Sequence, residues 1–158
     1  MNKWFEVTVK GERDNIENGK YQKVTEKYLF DALTYTEAES RATEKMAELF
    51  PSFMITKINP VKLSEIFFDG KSDYWFKCKI NYITINEKNG KEKKTPAYMY
   101  VQASDTKSAE ENLKEGMKGT MDDWAIESIA ETKIIEAYKY DLQKGAEALS
   151  EKTEPVDA

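Results

Sequence analysis

Few residues of this chain have side chains suited to catalysis, and two glutamates come first among them. Glu65 and Glu136 occupy equivalent positions in two similar halves of the sequence. Two carboxylates that lie close together shift each other's pKa, so that one can act as an acid and the other as a base. The alternative is structural: each carboxylate discourages pairing at an edge strand or contacts a lysine, Lys62 or Lys133. A hydrolase that uses these paired glutamates is therefore one function that the sequence leaves open.

Other catalytic and metal-binding groups are scarce. Histidine, the commonest general base and metal ligand at neutral pH, does not occur in the chain. The single cysteine, Cys78, alternates in phase with Phe76 and Ile80, so it is expected to point into the core. The seven glycines form no phosphate-binding loop pattern. We therefore predict no metal site, no cofactor and no assigned catalytic residue.

Aromatic and basic side chains favour a binding function. Strand alternation places four aromatic residues on the face opposite the helix-covered core, where polar residues are expected. That aromatic face has three alternative roles: packing between the halves, contact between subunits, or binding of a ligand. Lysines on two predicted hairpins could contact phosphate groups. The predicted ligand or partner site comprises Trp4, Trp75, Tyr98, Tyr100, Lys20, Lys91 and Lys94.

The elements that position these residues belong to two similar halves. Residues Trp4–Phe68 align without a gap with Trp75–Lys139, and sixteen aligned positions are identical. The repeated phrases NIENGKYQK and NEKNGKEKK both contain Asn-Gly, which is typical of a tight hairpin turn. An ungapped match of this length predicts a duplicated unit, with one copy in residues 1–70 and the other in residues 71–140.

Each half has the pattern strand, strand, helix, strand. The two strands alternate in WFEVTV and VTEKYLFDA, and again in WFKCKI and PAYMYVQA. The helix begins after a capping residue, Thr34 in the first half and Asp105 in the second. A long extended stretch ends each half, and Pro60 is expected to bend or break the first of them. The predicted fold class is α+β: two tandem β-β-α-β repeats with antiparallel sheets and one helix per repeat, related by a pseudo-two-fold axis.

Composition and charge limit the classes of partner and the cellular location that we predict. The net charge of the 158 residues is −5, and much of it lies in an acidic C-terminal segment, residues 141–158, which we predict to be flexible. The remaining body is nearly neutral, which argues against non-specific nucleic-acid binding. Apolar runs are too short to span a membrane. One cysteine suits a reducing compartment, so the predicted location is the cytoplasm, or the host cytoplasm if the protein is phage-encoded.

The Trp-Phe strand, the helix start and the long final strand of both halves resemble a family of domains of unknown function from Bacteroidetes and their phages. The resemblance implies the duplicated fold and a phage origin, and it implies no established activity. Our leading interpretation is a small intracellular, non-catalytic binding protein that acts as a homo-oligomer. The alternative is a protein that sequesters a nucleotide or a nucleotide-derived signal, as an anti-defence protein would. The expected partner is accordingly a protein or a nucleotide-type small molecule.

Overall fold

The computed structural model describes residues 3–14, 17 and 19–140. The predicted flexible segment, residues 141–158, and Asn18 of the first predicted turn lie outside the described residues. In the described part, the chain runs twice through the order strand, strand, helix, strand, strand. The elements are β1 (Lys3–Asp14), β2 (Tyr21–Ala32), α1 (Tyr35–Leu49), β3 (Ser52–Val61), β4 (Glu65–Phe67), β5 (Tyr74–Ile85), β6 (Glu92–Ala103), α2 (Thr106–Gly116), β7 (Asp123–Glu131) and β8 (Ile134–Tyr138).

Local sequence signals account for the hairpins and for the starts of the helices. Gly19 and Gly90 have φ angles of 68° and 67°, a left-handed conformation that costs glycine little. The hydroxyl of Thr34 accepts a hydrogen bond from the backbone N–H of Glu37 at the start of α1. Asp105 and Ser108 form a reciprocal capping box at the start of α2. The predicted α+β class is confirmed, with two helices and two sheets in the described residues.

The sheets are rich in antiparallel pairs but not purely antiparallel. Their strand orders are β3-β1-β2-β8 and β4-β6-β5-β7. The pairs β2/β8 and β4/β6 are parallel. The last strand of each half therefore belongs to the sheet of the other half: β4 extends the second sheet and β8 extends the first. The predicted antiparallel pairing thus holds for β1, β2 and β3 and for β5, β6 and β7, and the exchange adds one parallel strand to each sheet.

The long final stretch of each half is divided into two strands. In the first half, β3 ends at Val61 and β4 begins at Glu65. Pro60 lies inside β3 and pairs with Phe5, so it does not break the strand. A proline is tolerated there because β3 is an edge strand with one side free of a neighbour. The break occurs instead at the three residues that carry the chain from one sheet to the other.

Three apolar clusters organise the described residues into four layers: helix, sheet, sheet, helix. One cluster joins α1 to the first sheet and a second joins α2 to the second sheet. The third, which we call the central cluster, lies on the sheet faces opposite the helices. Its buried members are Leu29, Trp75, Tyr100, Ile134 and Ala137, with Trp4, Val61, Leu63 and Ile66 packed around them. Because these residues come from both halves, the central cluster joins the two sheets.

Buried polar side chains hold the ends of the exchanged strands. The backbone N–H of Tyr140, just after β8, donates to Asp31 Oδ1 at 2.6 Å. The equivalent residue in the second sheet, Gln102, accepts from the backbone N–H groups of Asp69 and Gly70, just after β4, at 3.0 and 3.1 Å. Asp31 is in turn paired with Arg41 of α1 at 2.6 Å. Each sheet thus binds the residues that follow the strand supplied by the other half.

The exchange predicts that the halves do not fold separately. Residues 1–70 alone lack β8 and would expose their side of the central cluster to water, and so small a unit is marginal even when its core is complete. We expect this fragment to show no cooperative thermal transition by circular dichroism. Mixing it with residues 71–158 should restore one transition. A cooperative melt of residues 1–70 as a monomer, checked by sedimentation, would contradict the prediction.

Candidate functional site

The predicted aromatic site residues are divided between the interior and the surface. Trp75 is fully buried and Tyr100 is 4% exposed, both in the central cluster, with Trp4 beside them. The ring of Phe68 stands edge-on to Trp75, with 5.2 Å between centroids. Burial, and next the charge of Glu6 in the first sheet, raise the pKa of Tyr100. These contacts describe packing between the halves, while a ligand or partner role for these residues stays a prediction.

The structure does not bring the paired carboxylates together. Glu65 pairs with Met99, whose side chain belongs to the cluster beneath α2. Glu136 pairs with Tyr28, whose side chain belongs to the cluster beneath α1. The two glutamates therefore face the outer sides of different sheets, and packed sheets are themselves about 10 Å apart. The hydrolase interpretation gains no support from this arrangement.

The predicted lysines lie on two separate hairpins. Lys20 is exposed beside the turn of the first hairpin, and Lys91 is exposed beside the turn of the second. The turn at Lys91 is held by its backbone N–H, which donates to the side chain of Asn89 at 2.9 Å. Lys94 lies on β6, four residues before Tyr98 and on the same side of the strand. The structure thus places Lys94 and Tyr98 on one sheet face and leaves Lys20 on the other hairpin.

The face that carries Lys94 and Tyr98 is the clearest candidate site. We call it the lysine–tyrosine face and define it by Lys77, Lys79, Lys94 and Tyr98 on the side of β5 and β6 away from α2. Tyr98 is half-buried and lies next to the central cluster. The Lys77 ammonium lies 4.9 Å from the centroid of the Tyr98 ring. A cation at this distance is attracted by the negative face of the aromatic ring.

A glutamate partly neutralises the positive charge of this face. Lys79 Nζ lies 2.6 Å from Glu127 Oε2 of β7. The hydrogen bond to Glu127, followed by its charge, raises the pKa of Lys79. The hydrogen bond from Lys79 lowers the pKa of Glu127, and the charge of Lys94 contributes in the same direction. The face therefore has three ammonium groups, one phenol ring and the Glu127 carboxylate, and Glu92 adds a second carboxylate two residues before Lys94 on β6.

The corresponding face of the first sheet is built differently. Lys27 takes the position of Tyr98 and Glu6 takes the position of Lys77. These two residues form an ion pair, with 3.3 Å between Lys27 Nζ and Glu6 Oε1. The same scaffold thus carries a neutralised pair in one sheet and a cation over a ring in the other. The difference makes the second sheet the better surface for an anionic, planar ligand.

Sequence reasoning missed a polar network on the helix side of the first sheet. Arg13 donates to Glu26, with 2.9 Å between Nη2 and Oε2, and the Tyr28 hydroxyl also donates to Glu26. Burial, and next the hydrogen bond with Glu26, raise the pKa of Tyr28 far above its usual range. Because its hydroxyl bonds are made inside the protein, this network is best explained as support for a buried phenol. The sequence does contain one sign of this network: its three residues are not repeated, because the equivalent positions in the second half hold Thr84, Ala97 and Met99.

The part of the chain that the structure describes contains neither a candidate metal cluster nor a membrane-spanning helix. Across residues 3–14, 17 and 19–140, no group of three or more histidine, cysteine, aspartate or glutamate side chains could hold a metal ion. No helix in that part of the chain is long and apolar enough to cross a membrane.

The buried thiol makes a chemical prediction. Cys78 is fully buried beneath α2, and burial raises the pKa of its thiol to about 11. Because the thiolate is the reactive form, we expect the native protein to resist a disulfide-exchange reagent at mildly alkaline pH and to react fully after denaturation. Absorbance of the released thiolate measures both. Rapid modification of the native chain would contradict the buried placement.

The central cluster makes a stability prediction. Trp75→Ala should lower the free energy of unfolding by about 3–5 kcal/mol, because a fully buried indole is lost. Trp75→Phe should cost less, since the indole Nε1 is buried without a hydrogen-bond partner among the described residues and phenylalanine has no such group. Denaturant unfolding measures both.

Tyr98→Ala is the matched control for these variants, because Tyr98 lies on the same side of the sheet outside the central cluster and is only partly buried. It should cost about 1 kcal/mol, the centre of the range for single substitutions. An equal loss of unfolding free energy in Trp75→Ala and Tyr98→Ala would contradict the burial of Trp75 between the two sheets.

Comparison with known proteins gives a family and no activity. None of the curated proteins and none of the solved structures that were compared matches the chain. A family model described as a domain of unknown function, DUF4494, matches residues 3–140. That range includes both sheets and both helices. The chain therefore belongs to the DUF4494 family of domains of unknown function.

Proposed function

We propose that this protein is a non-catalytic binding protein that holds an anionic, planar ligand on the lysine–tyrosine face. The observation that supports the proposal is the position of Lys77 over the Tyr98 ring, with Lys79 and Lys94 on the same side of the sheet. An aromatic ring stacks on nucleobases, and ammonium groups neutralise phosphates. A nucleotide or a nucleotide-derived signal combines both features in one small molecule.

The rigidity of the face favours this function. Tyr98 and the lysines stand on adjacent, hydrogen-bonded strands, in which Lys79 pairs with Tyr98 and Ile83 pairs with Lys94. Groups held on strands need less ordering when a ligand binds than groups on loops do. A stacking ligand would displace the Lys77 ammonium from the ring toward the phosphate. Binding would therefore exchange a cation–ring contact for a charge-assisted hydrogen bond.

We further infer that the two halves are copies of one duplicated unit related by a pseudo-two-fold axis. The pairs Asp31/Gln102 and Tyr140/Asp69 support this, because each pair occupies aligned positions and plays the same part in holding an exchanged strand. The boundary between residues 70 and 71 follows from the same alignment. A Bacteroidetes or phage origin and a cytoplasmic location remain predictions, which the neighbouring genes and fractionation of the producing cells would test.

Binding can be tested with a fluorescent adenine nucleotide triphosphate as the probe. We expect saturable binding to the full chain that weakens as salt rises, because screening reduces the attraction between lysines and phosphates. Tyr98→Ala should weaken binding by about 1–3 kcal/mol, the usual contribution of one base–aromatic stack. The single variants Lys77→Ala and Lys94→Ala should also each weaken binding of the probe. Fluorescence anisotropy measures all three affinities.

Lys23→Ala is the matched control for that titration, because Lys23 occupies the position of Lys94 in the first half. Its affinity for the probe should equal that of the parent chain. Equal losses in Lys23→Ala and Lys94→Ala, or binding that ignores salt, would count against the lysine–tyrosine face. Native mass spectrometry of the freshly purified chain would reveal a co-purified ligand directly.

A further inference from the structure

The exchanged strands cover only part of the edges that they join. β8 pairs with Lys27–Phe30 of β2, although β2 begins at Tyr21. β4 pairs with Met99–Val101 of β6, although β6 begins at Glu92. Among the described residues, no strand pairs with the outer side of residues 21–26 or residues 92–97. Each sheet therefore keeps an open edge toward its hairpin end.

The outward backbone groups at these edges can be identified. The backbone N–H of Ser64 donates to the Tyr98 carbonyl at 2.8 Å, so the backbone of Tyr98 faces the β4 side. Backbone groups of alternate residues in a strand share a direction, so Pro96 and Lys94 face the same way. In the first sheet, Thr56 Oγ1 donates to the Thr8 carbonyl at 3.3 Å, so Thr8 faces β3.

The same rule fixes the direction of Thr25. Thr8 pairs with Lys27, and two opposed residues of an antiparallel pair point either toward or away from each other. Because Thr8 points away from β2, Lys27 points toward the β8 side. Thr25 and Lys23, at alternate positions, then present their backbone N–H and C=O groups to the open edge.

The two open edges differ at one decisive position. Pro96 in β6 is aligned with Thr25 in β2. Proline has no N–H, so the open edge of β6 lacks a donor where β2 presents one. Lysines at positions 93 and 94 protect β6 further. The edge of β2 has neither the proline nor the paired lysines.

β3 and β7, which form the other outer edge of each sheet, also carry features that hinder pairing. The register of β3 against β1 shifts at Thr8 and Val9, and β3 contains Pro60. The register of β7 against β5 shifts at Lys79 and Ile80. Bulges and prolines of this kind discourage the addition of a further strand. Residues 21–26 are thus less protected than residues 92–97, β3 or β7, while the outer sides of β8 and β4 offer only 5 and 3 strand residues.

We propose that Tyr21–Glu26 pairs in antiparallel fashion with the same segment of a second copy of this chain. A two-fold pairing of identical edges covers both at once and leaves no open end for further growth. The segment carries one lysine and one glutamate, Lys23 and Glu26, so its two copies have no net charge to repel each other. Tyr21, at the start of the segment, is 65% exposed, and its side chain would become more buried in the paired form.

The decisive variant copies the second half into the first. Thr25→Pro removes the outward N–H at an exposed position whose counterpart, Pro96, is already accommodated in the same register. We expect native mass spectrometry and sedimentation to show the parent chain at twice 18.3 kDa and Thr25→Pro at 18.3 kDa. Circular dichroism should show both folded. Pro96→Thr, the reciprocal control, should stay at the mass of the parent.

A second measurement covers the case in which Thr25→Pro fails to fold. Lys23→Cys should cross-link between chains with a short bismaleimide, whereas Lys94→Cys, its counterpart in the second half, should not. A monomeric parent chain, a Thr25→Pro variant that keeps the parent mass, or equal cross-linking of both cysteine variants would overturn the proposal. So would a parent chain that dimerises only after truncation at Tyr140, because residues 141–158 would then be covering the edge. None of these results depends on ligand binding at the lysine–tyrosine face.

Discussion

Exchange of the fourth strands is the constraint on which the rest of this structure depends. β8 brings Ile134 and Ala137 across to the first sheet, and β4 brings Ile66 to the second. The same crossing encloses Trp75, whose carbonyl accepts hydrogen bonds from the backbone and the hydroxyl of Thr132 in the turn before β8. Burial of the central cluster and completion of each sheet are therefore one event. We therefore expect the chain to fold as a single unit, because neither sheet has its four strands without the other half.

Against this shared scaffold, the informative positions are those at which the halves differ. Asp31 with Arg41 and Gln102 with Asn112 hold equivalent strand ends with different chemistry, one ionic and one neutral. Those substitutions preserve the architecture. Two others change a surface: Lys27 becomes Tyr98 in the second half, and Thr25 becomes Pro96. The first creates a ring beneath a cation, and the second removes an edge donor. The proposed ligand face and the proposed pairing edge thus arise at neighbouring positions on equivalent strands of different sheets.

The sequence predicted the local elements because their causes are local. Alternation identified the long strands, Asn-Gly marked the hairpins, and Thr34 and Asp105 marked the helix starts. Strand exchange could not be predicted from the sequence. The side-chain phase indicates which residues share a face, but it does not indicate which sheet a strand joins. The placement of Glu65 and Glu136 on outer faces of different sheets has a related cause. Counting the phase through Val61 and Leu63 assumed one continuous strand, and the break before Glu65 interrupts it.

The aromatic face shows the same limit at the level of single residues. Trp75 and Tyr98 have the same phase in the sequence pattern, yet one is fully buried and the other is only partly buried. Their difference comes from the length of the strands: β5 and β6 each have 12 residues, and the central cluster covers only the part nearest the crossing strands. Toward the hairpins the same faces meet water, and Lys79 and Lys94 lie there among residues outside the central cluster. A strand pair longer than the contact that it supports has one end that packs in the interior and another end that meets solvent, and we propose that the second end binds the ligand. Because the two ends share a continuous backbone ladder, the packing of Trp75 and Tyr100 fixes the position of Tyr98 and the lysines beside it before any ligand arrives.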